Sequence, residues 1–218
     1  MPYPSAPWQL KGYALQTLNL IDIDKARPFV PPDLEIVSVW PGKTVGGIYL
    51  SSYGSGSVLE YSEAIVVPAL VSYGGRWGAW ISHIYVDNDD SVAGGREIWG
   101  LPKERAEFTW ETGSPMRVSA SQGDGLLCNL TYTQPTLTLP LPLSGLVFSV
   151  LESDFILFKG DFQSRLGLIS GNLEIPTNSP FANLNFEQPL LTVYSDDLRF
   201  IANAPEVVGQ QKIAFSYS

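Results

Sequence analysis

Lys103 sits in the stretch "SVAGGREIWGLPKERAEF" (Ser91–Phe108) and is one of six lysines in a chain of 218 residues. A lysine amine can attack a ketone or aldehyde and form an imine, but only as the neutral amine. At an ordinary pKa near ~10.4, about one amine in 2,500 is neutral at pH 7. Bringing such a pKa down to ~7 is worth ~4–5 kcal/mol, and desolvation in an apolar pocket is the plain way to do it. Trp99, Leu101, Pro102, Phe108 and Trp110 surround Lys103 in sequence, so apolar surroundings are expected. The bland alternative is an exposed lysine in a loop after a helix, since lysine is rarely buried.

Other chemistries have few residues to work with. The chain has a single histidine, His83, and a single cysteine, Cys128, so an ordinary zinc site cannot be assembled. A Ser-His-Asp or Cys-His arrangement would need His83 as its base, but His83 lies in an apolar strand and no G-x-S-x-G segment is present. "VDNDDS" (Val86–Ser91) fails the calcium-loop pattern, with Val92 at the sixth position and Ile98 at the twelfth counted from Asp87. It reads as a turn and helix cap, and no metal is expected. Neither "YGSGS" (Tyr53–Ser57) nor "AGGREIWG" has the setting of a phosphate loop or a dinucleotide fingerprint.

A net charge of −9 gives no electrostatic basis for nucleic-acid binding. No apolar run approaches the ~18–20 residues of a membrane span. "MPYPSAPWQL" lacks the basic and apolar regions of a secretory signal, and the lone Cys128 excludes an internal disulfide; both point to a cytoplasmic setting.

The elements that must position Lys103 are mostly strands. "WISHIYVD" (Trp80–Asp87), "TVGGIYLSSY", "SEAIVVPALVSY", "LLCNLTYT", "VFSVLES" and "LLTVYS" are rich in aromatic and β-branched residues. "RAEFTWE" (Arg105–Glu111) alternates, with Ala106, Phe108 and Trp110 on one face. Pro68 predicts an edge or bulge, and "PTLTLPLPL" (Pro135–Leu143) an edge strand or extended loop. A short helix is expected in "DIDKARPFVPPDLEI". A second is expected in "DDSVAGGREIWG", capped by Asp89 or Asp90 and stopped by Gly100. Gly94 and Gly95 would cost that helix ~1 kcal/mol each relative to alanine, so close packing against it is expected. Residues 163–187 read as a long loop region. The expected fold is mainly β with a few short helices, a single domain over residues 1–218, built on a curled or closed antiparallel sheet.

"YVDNDDSVAGGREIWGLPKERAEF" resembles the active-site region of the acetoacetate decarboxylase superfamily: a strand ending in Tyr-x-Asp-Asn, a short helix, Gly-Arg-Glu and then Pro-Lys. "ARPFVPPDLEI" (Ala26–Ile36) and "EYSEAIVVP" (Glu60–Pro68) resemble two further segments of that family. The resemblance implies a closed, cone-like antiparallel β-barrel, with Lys103 as the imine-forming lysine and Glu63 as the residue that positions substrate or relays protons. Activation of a lysine in acetoacetate decarboxylase is a general illustration of this chemistry. Arg96, read as structural or pocket-lining, joins Tyr61 and Trp99 as substrate-binding candidates. No cofactor is required, the ligand is a small carbonyl compound or an apolar molecule, and self-association is implied.

The sequence also departs from the decarboxylases. A second lysine is replaced by Glu104, an early arginine falls near Gly12, and a pocket glutamate falls near Ile48. If the segment is extended, Glu104 should point away from Lys103. "APWQLKGYALQTLNL", "GGIYLSSY" and "GLPKERAEF" are similar to the branch of the superfamily that includes the plant neoxanthin-deficiency proteins. That similarity suggests a photosynthetic source such as a cyanobacterium and a link to carotenoids. Two functions follow: a lysine-imine enzyme, decarboxylase or aldolase-like, or a non-catalytic barrel that holds an apolar ligand.

Overall fold

Alternating side chains with one apolar face build strands such as Glu107–Glu111 and Met116–Gln122, whereas Tyr61–Val67 and His83–Val86 are buried on both faces. The computed structural model describes residues 3–186 and 188–212. Its strands, in chain order, are β1 (Trp8–Asp22), β2 (Glu35–Ile36), β3 (Lys43–Tyr53), β4 (Tyr61–Val67), β5 (Ala69–Tyr73), β6 (Arg76–Trp80), β7 (His83–Val86) and β8 (Lys103–Arg105). They continue with β9 (Glu107–Glu111), β10 (Met116–Gln122), β11 (Gly125–Tyr132), β12 (Leu139–Leu151), β13 (Asp154–Ile169), β14 (Gly171–Glu174), β15 (Leu191–Ala202) and β16 (Glu206–Gln210). Two helices, α1 (Ile23–Ala26) and α2 (Asp89–Trp99), and 3-10 turns at Arg27–Phe29 and Ala182–Leu184 complete the described residues. The fold is mainly β, as expected.

A 12-stranded sheet runs in the order β2-β5-β6-β12-β13-β15-β1-β3-β4-β7-β8, with β16 on β13; a second sheet of four strands runs β14-β11-β10-β9. The large sheet curls, because side chains from β4 and from β13 face the same cavity. It does not close, and the expected closed barrel is corrected on this point: its end strands β2 and β8 do not pair. β8 is three residues long, and beyond Ala106 the chain leaves for the second sheet as β9. The end of α2 packs on β12. The Ser149 hydroxyl donates to the Trp99 carbonyl, and a Cβ at Gly100 would lie 2.6 Å from the Val150 carbonyl carbon.

Local chemistry explains most boundaries. Pro68, without an N–H, separates β4 from β5, and residues 81–82 divide the expected single strand of Trp80–Asp87 into β6 and β7. β12 pairs with β13 from Leu139 to Leu151 but meets β6 only at Val147 and Phe148, so its proline-rich half is an edge. Helix α2 is capped by Asn88, whose Oδ1 accepts from the Ser91 N–H at 2.9 Å. This corrects the expected cap at Asp89 or Asp90, which fall in the first turn, where their charge suits the helix N-terminus. Gly100 ends the helix in the left-handed region, at φ 62°. The segment expected to be loop at 163–187 is partly strand, because Gln163–Ile169 continues β13 and β14 follows; Glu187 lies outside the described residues.

The two faces of the large sheet have different jobs. On one face, Ala64, Val66 and Tyr85 enter a core shared with Val118, Ala120, Cys128 and Leu130 of the second sheet. Burial there pushes the Cys128 thiol up to about 12, so it stays a protonated packing residue. The other face carries the cavity. No helix among the described residues is long and apolar enough to cross a membrane.

Candidate active site

β4, β7 and β8 lie side by side, and helix α2 connects β7 to the parallel strand β8. Glu63 on β4 pairs with Val86, and Lys103 on β8 pairs with Ile84. Val86 and Ile84 are two residues apart on β7, so all four side chains share one face. Glu63 and Lys103 are thus two strand spacings apart, roughly 10 Å along the sheet, a gap that two long side chains can bridge.

They do bridge it. Lys103 Nζ donates to Glu63 Oε1 at 2.9 Å and to Ser91 Oγ at 2.9 Å. Lys103 and Glu63 are each only 3% exposed. The same amine lies 5.0 Å from the centre of the Tyr61 ring and 5.6 Å from that of Trp8, within cation–π range. The expectation of a dry environment for this lysine is matched by its burial, and the loop alternative is not.

Helix α2 reaches this close because glycines stand where it lies against Lys103 and Trp8. Ser91 and Gly95 are four residues apart and share a face. A Cβ at Gly95 would overlap Lys103 Cδ and lie 2.7 Å from its Cε; one at Gly94 would lie 2.5 Å from the Trp8 ring. The adjacent glycines thus let the helix lie on Lys103 and on Trp8. The Tyr3 hydroxyl donates to Glu97 on the same helix, Trp8 Nε1 donates to the Pro4 carbonyl at 2.8 Å, and Trp8 meets Trp99 edge-on at 4.9 Å.

The amine and carboxylate open onto a cavity of about 90 Å³. Apart from Lys103, Glu63 and Tyr61, its walls are apolar or aromatic, with Trp8, Leu10, Ile65, Ile84, Phe158 and Phe162 among them. Burial, reinforced by the charge of Glu63, pushes the Tyr61 phenol well above its ordinary range, so it remains a neutral O–H. Tyr53 is raised in the same way, by burial first and then by nearby Tyr49 and Glu63.

Of the residues singled out from sequence, the structure brings Lys103, Glu63, Tyr61 and Trp99 to this cavity. Trp99 turns its Nε1 outward, to the Asn203 carbonyl at 2.8 Å. Arg96 does not line the cavity: it is exposed, and its Nε donates to the Lys103 backbone carbonyl at 2.7 Å. Its place as a substrate-binding residue is therefore corrected to that of a clamp on β8, because α2 turns it outward at the end opposite Ser91. Glu104 points away as alternation requires and accepts from Gln122 Nε2 at 2.8 Å. Ile48 is buried in the other core, and Gly12 has no room for a side chain, since an added Cβ would lie 2.9 Å from the Ser52 carbonyl carbon. Ser91 and Trp8 were not singled out from sequence. The i, i+4 spacing of Ser91 and Gly95 was the available signal for the first; Trp8 offered none.

His83 lies on the opposite face of β7, its Nδ1 2.9 Å from the Ser82 hydroxyl and its ring near Phe29, Phe181 and Tyr85. It cannot reach the cavity. Burial pushes its pKa down to about 4. The unfolded chain therefore binds a proton at His83 at a higher pH than the folded one does. Stability is full above about pH 6.5 and is lost as pH falls towards 4, by about 3 kcal/mol from this residue. Urea midpoints at pH 7 and pH 4.5 should drop further for the wild type than for His83→Asn; equal drops would refute the assignment.

The sequence profile of the acetoacetate decarboxylase (ADC) family matches residues 1–156. The chain is 34% identical over 107 residues to NEOXANTHIN-DEFICIENT 1 of Solanum lycopersicum, covering 49% of this chain and 36% of that protein. It is 33% identical over 113 residues to acetoacetate decarboxylase 1 of Mesorhizobium japonicum, covering 50% and 43%. These matches span less than half the length of either relative. The crystal structure of acetoacetate decarboxylase from Legionella pneumophila superposes with a TM-score of 0.75 at 19% identity, covering 98% of this chain and 91% of that one. None of the three comes from a cyanobacterium, the source suggested by sequence. With the profile spanning most of its length and the fold shared nearly throughout, the chain belongs to the acetoacetate decarboxylase family.

Proposed function

We propose that the chain is a lysine-imine enzyme acting on a small carbonyl compound, with Lys103 as nucleophile and Glu63 as proton carrier. The observation that supports this best is the 2.9 Å contact between two almost fully buried side chains at an otherwise apolar cavity. In water an amine with the ordinary pKa of ~10.4 is protonated at neutral pH. Here its proton has an acceptor at hydrogen-bond distance, so Glu63 can take it as the nitrogen attacks. The carbonyl oxygen leaves as water, and the protonated imine withdraws electrons from the neighbouring carbon. A bond to carboxylate can then break with release of CO₂, or a C–C bond can break, the electron pair passing to nitrogen; in the reverse sense the enamine returns that pair from nitrogen to carbon as a C–C bond forms. Ser91 holds the amine in line, and the Tyr61 ring lies against it, 5.0 Å from nitrogen to ring centre.

Borohydride tests this directly. With a panel of small ketones, aldehydes and β-keto acids, reduction should leave a mass increase on the peptide containing Lys103. The absence of an adduct with every carbonyl would overturn the enzymatic reading.

A second reading is a non-catalytic role linked to carotenoid metabolism, favoured by the similarity to NEOXANTHIN-DEFICIENT 1. The cavity, at about 90 Å³, is well below the ~300 Å³ at which pockets for drug-sized ligands begin, and a carotenoid is longer still. A role of this kind would have to act through the surface or through a partner. Pigment copurifying with the chain would support it.

A further inference from the structure

We propose that the site takes an uncharged, short-chain aliphatic ketone or aldehyde bearing an α C–H, and not a keto acid; this rests on the imine-forming role of Lys103 proposed above. Three observations carry it. First, among the residues lining the cavity Lys103 is the only cation, and it already faces Glu63 at 2.9 Å. A buried carboxylate needs a counter-charge and several donors. Arg96 is exposed and bonded to a backbone carbonyl, and Arg105 pairs with Asp89 on the surface. A carboxylate in the cavity would meet the like charge of Glu63, with Tyr61 the one lining residue besides Lys103 and Glu63 that carries a polar side-chain group other than an indole.

Second, the walls suit an alkyl chain. Leu10, Ile65, Ile84 and Phe162 offer no polar side-chain atom. Third, the space is small. An apolar cavity of roughly 150 Å³ holds the six carbons of benzene, so one of about 90 Å³ takes roughly four non-hydrogen atoms.

The chemistry balances on the residues present. Glu63 takes a proton from the Lys103 ammonium, and the freed nitrogen pair bonds to the carbonyl carbon. The oxygen gains one proton from that nitrogen and one from Glu63 and departs as water, leaving a protonated imine and a carboxylate. Glu63 then removes an α-proton. The C–H pair becomes the C=C of an enamine, and the imine π pair returns to nitrogen. Return of a proton to the same carbon reverses the step, so in D₂O the α-hydrogens exchange for deuterium.

The test uses the full chain with butanone, propanal, pyruvate and acetoacetate at equal concentration. α-Exchange in D₂O is followed by NMR, borohydride adducts are followed by mass, and Lys103→Met gives the background. Butanone and propanal should exchange and label Lys103 at least about tenfold faster than either keto acid, the discrimination expected of a site that leaves a charge unpaired. Labelling of Lys103 by pyruvate or acetoacetate at or above the butanone rate would overturn the substrate class while leaving the imine reading standing. Labelling by none of the four would overturn both.

Discussion

Lys103→Met is expected to abolish borohydride labelling and turnover and to destabilise the protein by about 3–5 kcal/mol, the usual cost of removing one partner from a buried ion pair. Two effects are folded into that result, and a second variant separates them. In Lys103→Met the Glu63 carboxylate is left 3% exposed with no cation beside it. In the double variant Lys103→Met/Glu63→Leu both charges are gone and the apolar walls continue across the site. Stability should return to the wild-type value or exceed it, by up to ~4 kcal/mol, while activity stays absent. Urea denaturation supplies the first measurement and mass spectrometry the second. A single variant as stable as the wild type would mean that the pair is not held dry. A double variant that still labels would move the nucleophile elsewhere.

Gly95→Ala is expected to lower labelling by roughly 10²-fold with little change in stability. The argument turns on opposing terms of similar size. Alanine in a helix interior is favoured over glycine by about 1 kcal/mol. The added methyl meets Lys103 Cε at 2.7 Å, and overpacking of this kind costs about 1–3 kcal/mol. The net change in folding is small, but the lysine side chain must move. Displacing a reacting group by about 1 Å is enough for the stated loss of rate. Gly94→Ala is the control: its methyl meets the Trp8 ring rather than the amine, so it should cost stability more than labelling. Equal labelling by Gly95→Ala and wild type would show that the helix does not set the position of the amine.

How much of this was legible beforehand differs from residue to residue. Lys103 stood out because it follows the apolar run Trp99–Pro102, but residue type alone favoured an exposed loop lysine, and the family resemblance was what pointed to a buried one. The glycine pair was readable as a sign of close packing, since two glycines are costly inside a helix. What they packed against was not readable. Trp8 lies over 80 residues away in sequence, and only strand pairing brings β1 to α2. Glu63 came from resemblance alone, because nothing in "EYSEAIVVP" marks one carboxylate above another. Arg96 was misplaced because its sequence position says nothing about which way the helix turns it. The closed barrel failed because closure depends on whether two edge strands meet, and β8 spends only three residues in the large sheet before the chain enters the other.

Composition, alternation and turn chemistry determined that this protein is a β-rich fold with few short helices, one of them stopped by Gly100, and that amine and carboxylate chemistry were left once its single histidine and cysteine were discounted. Those are local properties, set within a few residues by backbone geometry and side-chain type. Only the tertiary structure decided that Lys103 meets Glu63 and Ser91, that Arg96 and Glu104 face away, that His83 lies behind the sheet, and that the space in front of the amine is small and nearly free of charge. The reason is physical. A nucleophile's surroundings are assembled from strands distant in the chain, and which faces meet depends on how the whole sheet curls.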